Sequence, residues 1–159
     1  MTVKWVNYNI PGNNMLKNEE IIKAIKERTY TYTIVKDREI IYQFSGSGIG
    51  AVYKTIKVDA SMIKDNSIYD TYVGKAVAML LIKYGAKAVY GEEMTQAAID
   101  AFMNAGVEYR YSKLVPMIYN HDESAECPFE LAVKELEDFD EIEKAVFATM
   151  SEILKKQAN

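Results

Sequence analysis

The chain has 159 residues, which is the usual length of one domain rather than two. Hydrophobic residues make up 49% and charged residues 26%, so the composition is that of a globular protein and excludes disordered and collagen-like classes. The 19 basic and 23 acidic side chains give a net charge of −4, which argues against a nucleic-acid-binding surface.

Soft metal ligands are scarce in this sequence, which has one cysteine, Cys127, and one histidine, His121. These two residues cannot build a closed Cys/His zinc site, and one cysteine cannot form an internal disulfide. We therefore expect no metal, no cofactor and a reducing, cytoplasmic location. The longest apolar-rich segment, residues 73–84, is far shorter than the roughly 20 residues of a membrane span. We expect no membrane partner.

Residues 1–28 are interpreted as an N-terminal extension, and residues 29–159 as a single domain. The segment from Pro11 to Asn14 indicates a loosely attached lead-in over residues 1–15. Apolar residues near helical spacing predict a helix from Leu16 to Arg28.

The next two segments have the alternation of β-strands. Thr29–Val35 and Arg38–Phe44 alternate β-branched and aromatic residues, and Lys36-Asp37 between them predicts a hairpin turn. The run SGSGIG at residues 45–50 then leads into a short predicted helix, residues 51–57. Its glycines formally match a dinucleotide-binding pattern, but the preceding strand belongs to a hairpin, so we interpret them as a turn.

The remaining elements alternate between helices and strands. We predict a polar loop over 59–69, followed by a helix from Thr71 to Tyr84 that Asp70 caps. A strand from Lys87 to Tyr90, a helix from Thr95 to Asn104 and a strand from Val107 to Tyr111 come next. The last two elements are helices from Cys127 to Glu137 and from Asp140 to Lys156, and a capping box of Asp140 with Glu143 begins the second of them. Glu92 and Glu93 are placed near the start of the helix that Thr95 caps. This order predicts an α/β sandwich around a mixed sheet.

The helix predicted from Thr71 to Tyr84 contains the first candidate site. It is apolar nearly all round, which is typical of a helix buried between layers, and Lys75 shares one face with Met79 and Ile82. A lysine in such a place could bind an anionic ligand or act as an acid or base. Gly74 would let a ligand approach the backbone closely. The alternative is a lysine whose ammonium group extends to the surface.

The second candidate is Cys127, which Pro128 places as the cap of a helix. A thiol at a helix N-terminus can ionise near neutral pH. Glu130 could reach back to the free amides of its own helix, or lie beside the thiol and oppose its ionisation. The alternative is that Cys127 is a small buried side chain.

A polar loop precedes this helix and contains Asn120, His121 and Asp122. A cysteine combined with histidine and asparagine or aspartate is typical of thiol-nucleophile sites, although sequence proximity does not give their geometry. The alternative is an ordinary surface loop.

Several short motifs occur in a fixed order between about Tyr30 and Lys134: Val35-Lys36-Asp37, Tyr72-Val-Gly-Lys-Ala76, Lys113-Leu-Val-Pro116, Asn120-x-Asp122 and Cys127-Pro-Phe-Glu130. Taken together, they resemble a bacterial and archaeal family known only as a domain of unknown function, which is assigned to the cytidine deaminase-like superfamily. The resemblance implies a three-layer α/β/α sandwich. His121 stands where this family would have arginine.

Catalytic members of that superfamily hold zinc with a His/Cys-x-Glu motif and a Pro-Cys-x-x-Cys motif. The resemblance places Val73-Gly74-Lys75 at the first motif and residues 93–96 at the second. It therefore implies that the zinc ligands and the acid–base glutamate are missing, so zinc-dependent deamination is not expected.

Two functions follow as hypotheses. The first is a protein that binds a small anionic or nucleotide-like molecule in the former active-site pocket, with the ligand-binding candidates Gly74, Lys75, Asn120, Asp122, Cys127 and Glu130. The second is a metal-independent enzyme that uses Cys127 as a nucleophile or redox thiol, with Lys75 as a further catalytic candidate. The long amphipathic C-terminal helix also suits a homo-oligomer or a regulatory domain.

Overall fold

The structure, a computed structural model, describes residues 4–6, 15–46 and 48–158. Its elements in chain order are β1 (Lys4–Val6), α1 (Met15–Lys26), β2 (Tyr32–Lys36), β3 (Glu39–Phe44), α2 (Gly50–Asp59) with a following 3₁₀ turn (Ala60–Met62), β4 (Ser67–Val73), α3 (Lys75–Lys83), β5 (Ala88–Thr95), α4 (Gln96–Ala105), β6 (Glu108–Val115), α5 (Pro128–Val133) and α6 (Phe139–Ala158).

The six strands form one mixed sheet in the order β1-β6-β5-β4-β2-β3. Strands β4, β5 and β6 are parallel and are connected through α3 and α4, whereas β2 is antiparallel to β4 and β1 is antiparallel to β6. The three parallel strands end at Val73, Thr95 and Val115. We call this side of the sheet the carboxyl edge. Ligands of open α/β sheets bind at such an edge.

Helices cover both faces of the sheet. Helix α1 buries Ile21, Ile22 and Ile25 on one face against Val35, Tyr69 and Tyr90. On the other face, α2, α3 and α4 contribute Val52, Leu80 and Phe102 to the main core with the strand residues Ile34, Ile68 and Val89. Helices α5 and α6 pack against α3, so all residues from Ala76 to Leu81 are buried. The predicted three-layer α/β/α sandwich is confirmed.

The predicted hairpin is confirmed as β2 and β3, but its turn lies one residue further along. Lys36 pairs with Glu39, and the two turn residues are Asp37 and Arg38, with φ values of 47° and 78°. Two consecutive positive φ values are typical of the type I′ turn, whose twist matches that of a hairpin.

The loop predicted over residues 59–69 and the helix start at Thr71 are wrong. Residues Ser67–Val73 form the central strand β4, and Asp70 lies within it rather than capping a helix. The segment is buried on both faces, so it has no alternating pattern, and its polar residues Ser67, Asp70 and Thr71 interrupt the continuous apolar run typical of such strands. Helix α3 begins at Lys75, with Gly74 as its N-cap.

Three smaller boundaries also differ from the sequence prediction. Glu92 and Glu93 lie inside β5, although Thr95 does cap α4, with its hydroxyl accepting from the Ala98 amide. Helix α5 ends at Val133 rather than Glu137. The predicted capping box of Asp140 with Glu143 is replaced by Asp138, whose carboxylate accepts from the Glu141 amide at 2.9 Å.

The segment predicted as a lead-in contributes strand β1, in which Lys4–Val6 pairs with Tyr109–Tyr111 of β6. The rest of residues 1–14 lies outside the described residues. In the ranges that the structure does describe, no helix combines the length and the apolar character needed to cross a membrane.

Candidate functional site

The candidate residues Gly74 and Lys75 lie where β4 ends and α3 begins, at the carboxyl edge. The first amides of a helix have no partner inside the helix, so they need an acceptor from outside. The N-cap residue here is glycine, whose lack of a side chain leaves that need unmet locally.

The acceptor is the Glu130 carboxylate, which comes from α5. Its Oε1 accepts from the Lys75 amide at 2.8 Å and its Oε2 accepts from the Ala76 amide at 2.8 Å. Both carboxylate oxygens therefore bind the positive end of the α3 dipole. Glu130 was expected either to cap its own helix or to lie beside the thiol and oppose its ionisation. It caps the neighbouring helix, and its charge also raises the pKa of the Cys127 thiol.

Gly74 allows Glu130 to reach the α3 amides because it has no side chain, and not because of its backbone conformation. Its φ of −100° suits any residue, but a Cβ at this position would lie 2.3 Å from Glu130 Oε1. The predicted close approach to the Gly74 backbone therefore exists, and the group that approaches is a side chain of the same protein.

The Lys75 side chain points away from the Glu130 carboxylate and towards the last residues of α5. Its ammonium group donates to the Lys134 carbonyl at 3.1 Å and lies 3.3 Å from Glu137 Oε1. Its side chain is only 14% exposed, whereas that of Glu137 is 87% exposed. The ammonium group thus binds the negative end of the α5 dipole, and each helix caps the other.

Burial raises the pKa of Glu130, and the amides of Ala76 and Lys75 offset part of that rise. The neighbours of Glu130 in α5, Phe129 and Val133, are buried in the main core. Helix α5 is therefore anchored, and only the Glu130 side chain can leave the α3 terminus without disturbing the core.

Cys127 is the N-cap of α5, as predicted, and its thiol is half-buried. Burial raises the pKa of the thiol, and the amides of Glu130 and Phe129 lower it by less. This direction is opposite to the one expected for a reactive thiolate, because removal from water outweighs the helix terminus here. Cys127 and Glu130 lie in the first turn of one helix, and the charge of Glu130 also raises the pKa of the thiol.

Asn120 and Asp122 form a hydrogen-bonded turn of their own. The Asn120 side chain accepts from the Ser124 amide at 2.9 Å, and Asp122 accepts from the Ser124 hydroxyl at 2.6 Å. The hydroxyl and amide of Ser124, which both donate to Asp122, lower the pKa of its exposed carboxyl. Among the residues that the structure describes, no hydrogen bond joins Asn120 or Asp122 to Lys75 or Glu130.

The residues at the two expected zinc positions do not fit a zinc ion. Val73, Gly74 and Lys75 supply no ligand atom that zinc prefers, and the lysine ammonium would repel the cation. The second position, residues 93–96, supplies one carboxylate and no thiol or imidazole. Within the described part of the chain, no group of three or more histidine, cysteine, aspartate or glutamate side chains is placed to hold a metal ion.

A surface depression of about 350 Å³ lies near the opposite end of α3, away from these residues. It is lined by Ala60, Ser61, Lys64, Lys83, Tyr84 and Gly85. One of its two lysines, Lys83, forms ion pairs with Asp140 and Glu143, which neutralise its charge.

Comparison with known proteins gives the following similarities. The family model described as a domain of unknown function, DUF1893 (TM1506), matches residues 20–150. The crystal structure of the DUF1893 family protein TM1506 from Thermotoga maritima is 20% identical in sequence, with a TM-score of 0.73 over 92% of this chain and 97% of that one. This match shows a shared fold.

A weaker similarity is to dCMP deaminase from the cyanophage S-TIM5. That structure is 16% identical, with a TM-score of 0.48 over 65% of this chain and 100% of that one. No curated protein sequence matches the chain.

Proposed function

The chain belongs to the DUF1893 family, a domain of unknown function, and from that premise we propose that it binds a small anionic, nucleotide-like ligand where α3 begins. One observation carries the proposal: the Lys75 and Ala76 amides already hold a carboxylate, each at 2.8 Å. A phosphate or carboxylate of a ligand presents the same acceptor atoms to the same donors.

In this proposal the ligand takes the place of the Glu130 carboxylate. Burial raises the pKa of Glu130, which means that burial disfavours its charged form. This weakens the binding of the Glu130 carboxylate to the amides, so an anionic ligand can compete with it. The Lys75 ammonium group binds the Lys134 carbonyl in the structure; in this proposal it turns from there towards the ligand and adds a positive charge. Because Phe129 and Val133 fix α5 in the core, the exchange involves one side chain and leaves the fold intact.

The test is calorimetric titration of the full chain and of Glu130→Ala with inorganic phosphate and with cytidine monophosphate. The variant frees two amides, so we expect it to bind both probes at least about tenfold more tightly than the wild type. Lys75→Met in the Glu130→Ala background should reverse part of that gain, because it removes the ammonium group and leaves the two amides in place. Glu135→Ala is the matched control, because it removes an exposed carboxylate nearby without freeing an amide or the Lys75 ammonium group.

Equal affinity of the wild type and Glu130→Ala, or no binding by either, would overturn the proposal. Glu130→Gln provides a second measurement if the alanine variant unfolds. It keeps the volume of the side chain but leaves only one acceptor oxygen, so its affinity for phosphate should fall between those of the other two proteins.

The alternative, a metal-independent enzyme that uses Cys127, also stays a proposal. It predicts a thiolate at neutral pH, whereas burial raises the pKa of this thiol. The rate of Cys127 alkylation against pH tests it directly. An inflection well below the ordinary value of about 8.5 would favour the enzyme, and slow alkylation without such an inflection would make Cys127 a structural cap.

A further inference from the structure

Helix α6 has 20 residues, and only its first half is anchored in the core. Its two buried residues, Ile142 and Val146, both lie in that half. In the second half, residues 151–158 are exposed except for Ile153, which is partly buried. Because a helix with few packing partners is only marginally stable in water, a further partner would stabilise this end of α6.

One face of α6 is open to solvent along most of the helix. It is formed by five exposed residues, each three or four positions from the next, which are Glu141, Lys144, Ala148, Glu152 and Lys155. We call these five residues the α6 stripe. Helical spacing places the stripe on the side that faces away from Ile142 and Val146. Among the residues that the structure describes, no ion pair engages the four charged side chains of the stripe.

The charges of the α6 stripe are arranged symmetrically around Ala148, with opposite signs on the two sides. Lys144 and Glu152 lie four residues before and after Ala148, and Glu141 and Lys155 lie seven residues before and after it. At each distance, one side chain is basic and the other is acidic. A second α6 that runs antiparallel, with Ala148 against Ala148, therefore opposes every charge of the stripe to an opposite charge.

The opposite orientation of the second helix is disfavoured by the same pattern. In a parallel pair, Glu141 would face Glu141 and Lys144 would face Lys144, so like charges would be opposed throughout. An antiparallel pair also aligns the two helix dipoles favourably. The small Ala148 side chain at the centre lets the two helices approach to the roughly 8–10 Å of ordinary helix packing.

We propose that the α6 stripe binds the α6 stripe of a second copy of this chain, in a two-fold antiparallel dimer. Glu141 pairs with Lys155 of the partner subunit, and Lys144 pairs with Glu152 of the partner subunit. The two-fold axis repeats both ion pairs, as it does in every interface that is formed by the same patch on both subunits. This inference goes beyond the proposed function and uses none of the residues of the α3 terminus.

The experiment is sedimentation equilibrium of the full chain over a range of concentrations. Exposed ion pairs are weak and are screened by salt, so we expect a reversible dimer whose dissociation constant rises at least about tenfold between about 50 and 500 mM salt. Lys144→Glu opposes two carboxylates and Glu152→Lys opposes two ammonium groups, so each should weaken the dimer at least about tenfold.

Lys87→Glu is the matched control, because Lys87 is exposed, lies outside α6 and gives the same change in net charge as Lys144→Glu. It should leave the dissociation constant within about twofold of the wild-type value.

An equimolar mixture of Lys144→Glu and Glu152→Lys provides the decisive measurement. In a dimer of one chain of each kind, opposite charges face each other again at both positions, so the mixture should associate at least about tenfold more tightly than either variant alone. Such recovery also shows that both variants are folded. A monomer at every concentration, an equal loss of affinity with Lys87→Glu, or a mixture that associates no better than its components would each overturn the inference.

Discussion

The two sides of the carboxyl edge use similar residues in opposite ways. On the α5 side, Lys75 and Glu130 are bound to helix ends, and the Glu130 carboxylate fills the space that Gly74 leaves. On the α1 side, Arg28 and Glu93 are held by an aromatic ring and by each other, and they stay open to solvent.

The difference shows that a charged residue at a sheet edge is not by itself a ligand group. The α5 side is covered by a helix anchored in the core, so its charges contribute to folding, and a ligand must compete with Glu130. On the α1 side, Arg28, Tyr72 and Glu93 contact one another and stay partly exposed, so their contacts are weaker than those of Glu130. Four measurements can break or sharpen this comparison.

The largest expected effect is that of Glu130→Ala on stability. It leaves the Lys75 and Ala76 amides without their acceptor and removes the carboxylate from the α3 dipole, which should cost about 3 kcal/mol. Urea unfolding measures this cost. Glu137→Ala, whose carboxylate is exposed, should change stability by less than about 0.5 kcal/mol. Equal losses for the two variants would refute the capping role.

The next effect is the pH dependence due to Asp70, which lies on β4 between the two sides. Burial raises the pKa of Asp70 well above its ordinary value, and the Thr71 amide offsets a part. The folded state thus holds a proton that the unfolded state has released, so wild-type stability falls as pH rises between the two pKa values, by at most about 1.4 kcal/mol per pH unit.

Asp70→Asn removes that dependence, so the variant should gain stability relative to the wild type as the pH rises from about 4 towards neutrality. Urea unfolding across this range checks the trend. Asp100→Asn, which changes an exposed carboxylate on α4, is the control and should show no such gain. A constant difference between Asp70→Asn and the wild type would mean that Asp70 titrates normally.

Gly74→Ala should have an intermediate effect. Its Cβ would lie 2.3 Å from Glu130 Oε1, so the carboxylate must move and its bonds to the amides lengthen, at a cost of about 1–2 kcal/mol. In the Glu130→Ala background the same substitution should cost almost nothing. A double-mutant cycle measures this coupling, and additive losses would show that Gly74 serves another purpose.

Lys75→Met should have the smallest effect, lowering the free energy of unfolding by about 1 kcal/mol. The variant loses the bonds of the ammonium group to one carbonyl and to one exposed carboxylate, while the methionine side chain keeps the packing of the lysine stem. Thermal unfolding is sufficient to detect the change. Lys134→Met is the control, since the Lys134 side chain is 59% exposed and pairs with Glu126 at the surface. A larger loss for Lys134→Met than for Lys75→Met would contradict the reciprocal capping.

The sequence was informative wherever local chemistry decides the outcome. Alternating β-branched and aromatic residues identified the β2–β3 hairpin, Thr95 identified the start of α4, and Pro128 identified Cys127 as an N-cap. The motif resemblance identified the family and the three-layer sandwich. Strand β4 was missed because its two buried faces give no periodic signal and Asp70-Thr71 has the chemistry of a helix cap.

The candidate site shows the same division. Gly74, Lys75, Cys127 and Glu130 could be singled out from local pattern, and the structure places them on the touching ends of α3 and α5. The capping partner of the α3 amides is 55 residues away along the chain from Lys75, and no local signal points to it. The approach of Arg28 to Tyr72 and Glu93 could not be predicted for the same reason.

The sequence by itself determined the class of fold, the family and the residue types available at the carboxyl edge, because these follow from composition, periodicity and short motifs. Only the tertiary structure decided how those residues are used. The distance between Glu130 and the α3 amides, the burial that raises the pKa of Cys127, and the register that brings Tyr72 beside Glu93 all arise from long-range packing. The environment of a charged group depends on which distant segments the fold brings against it.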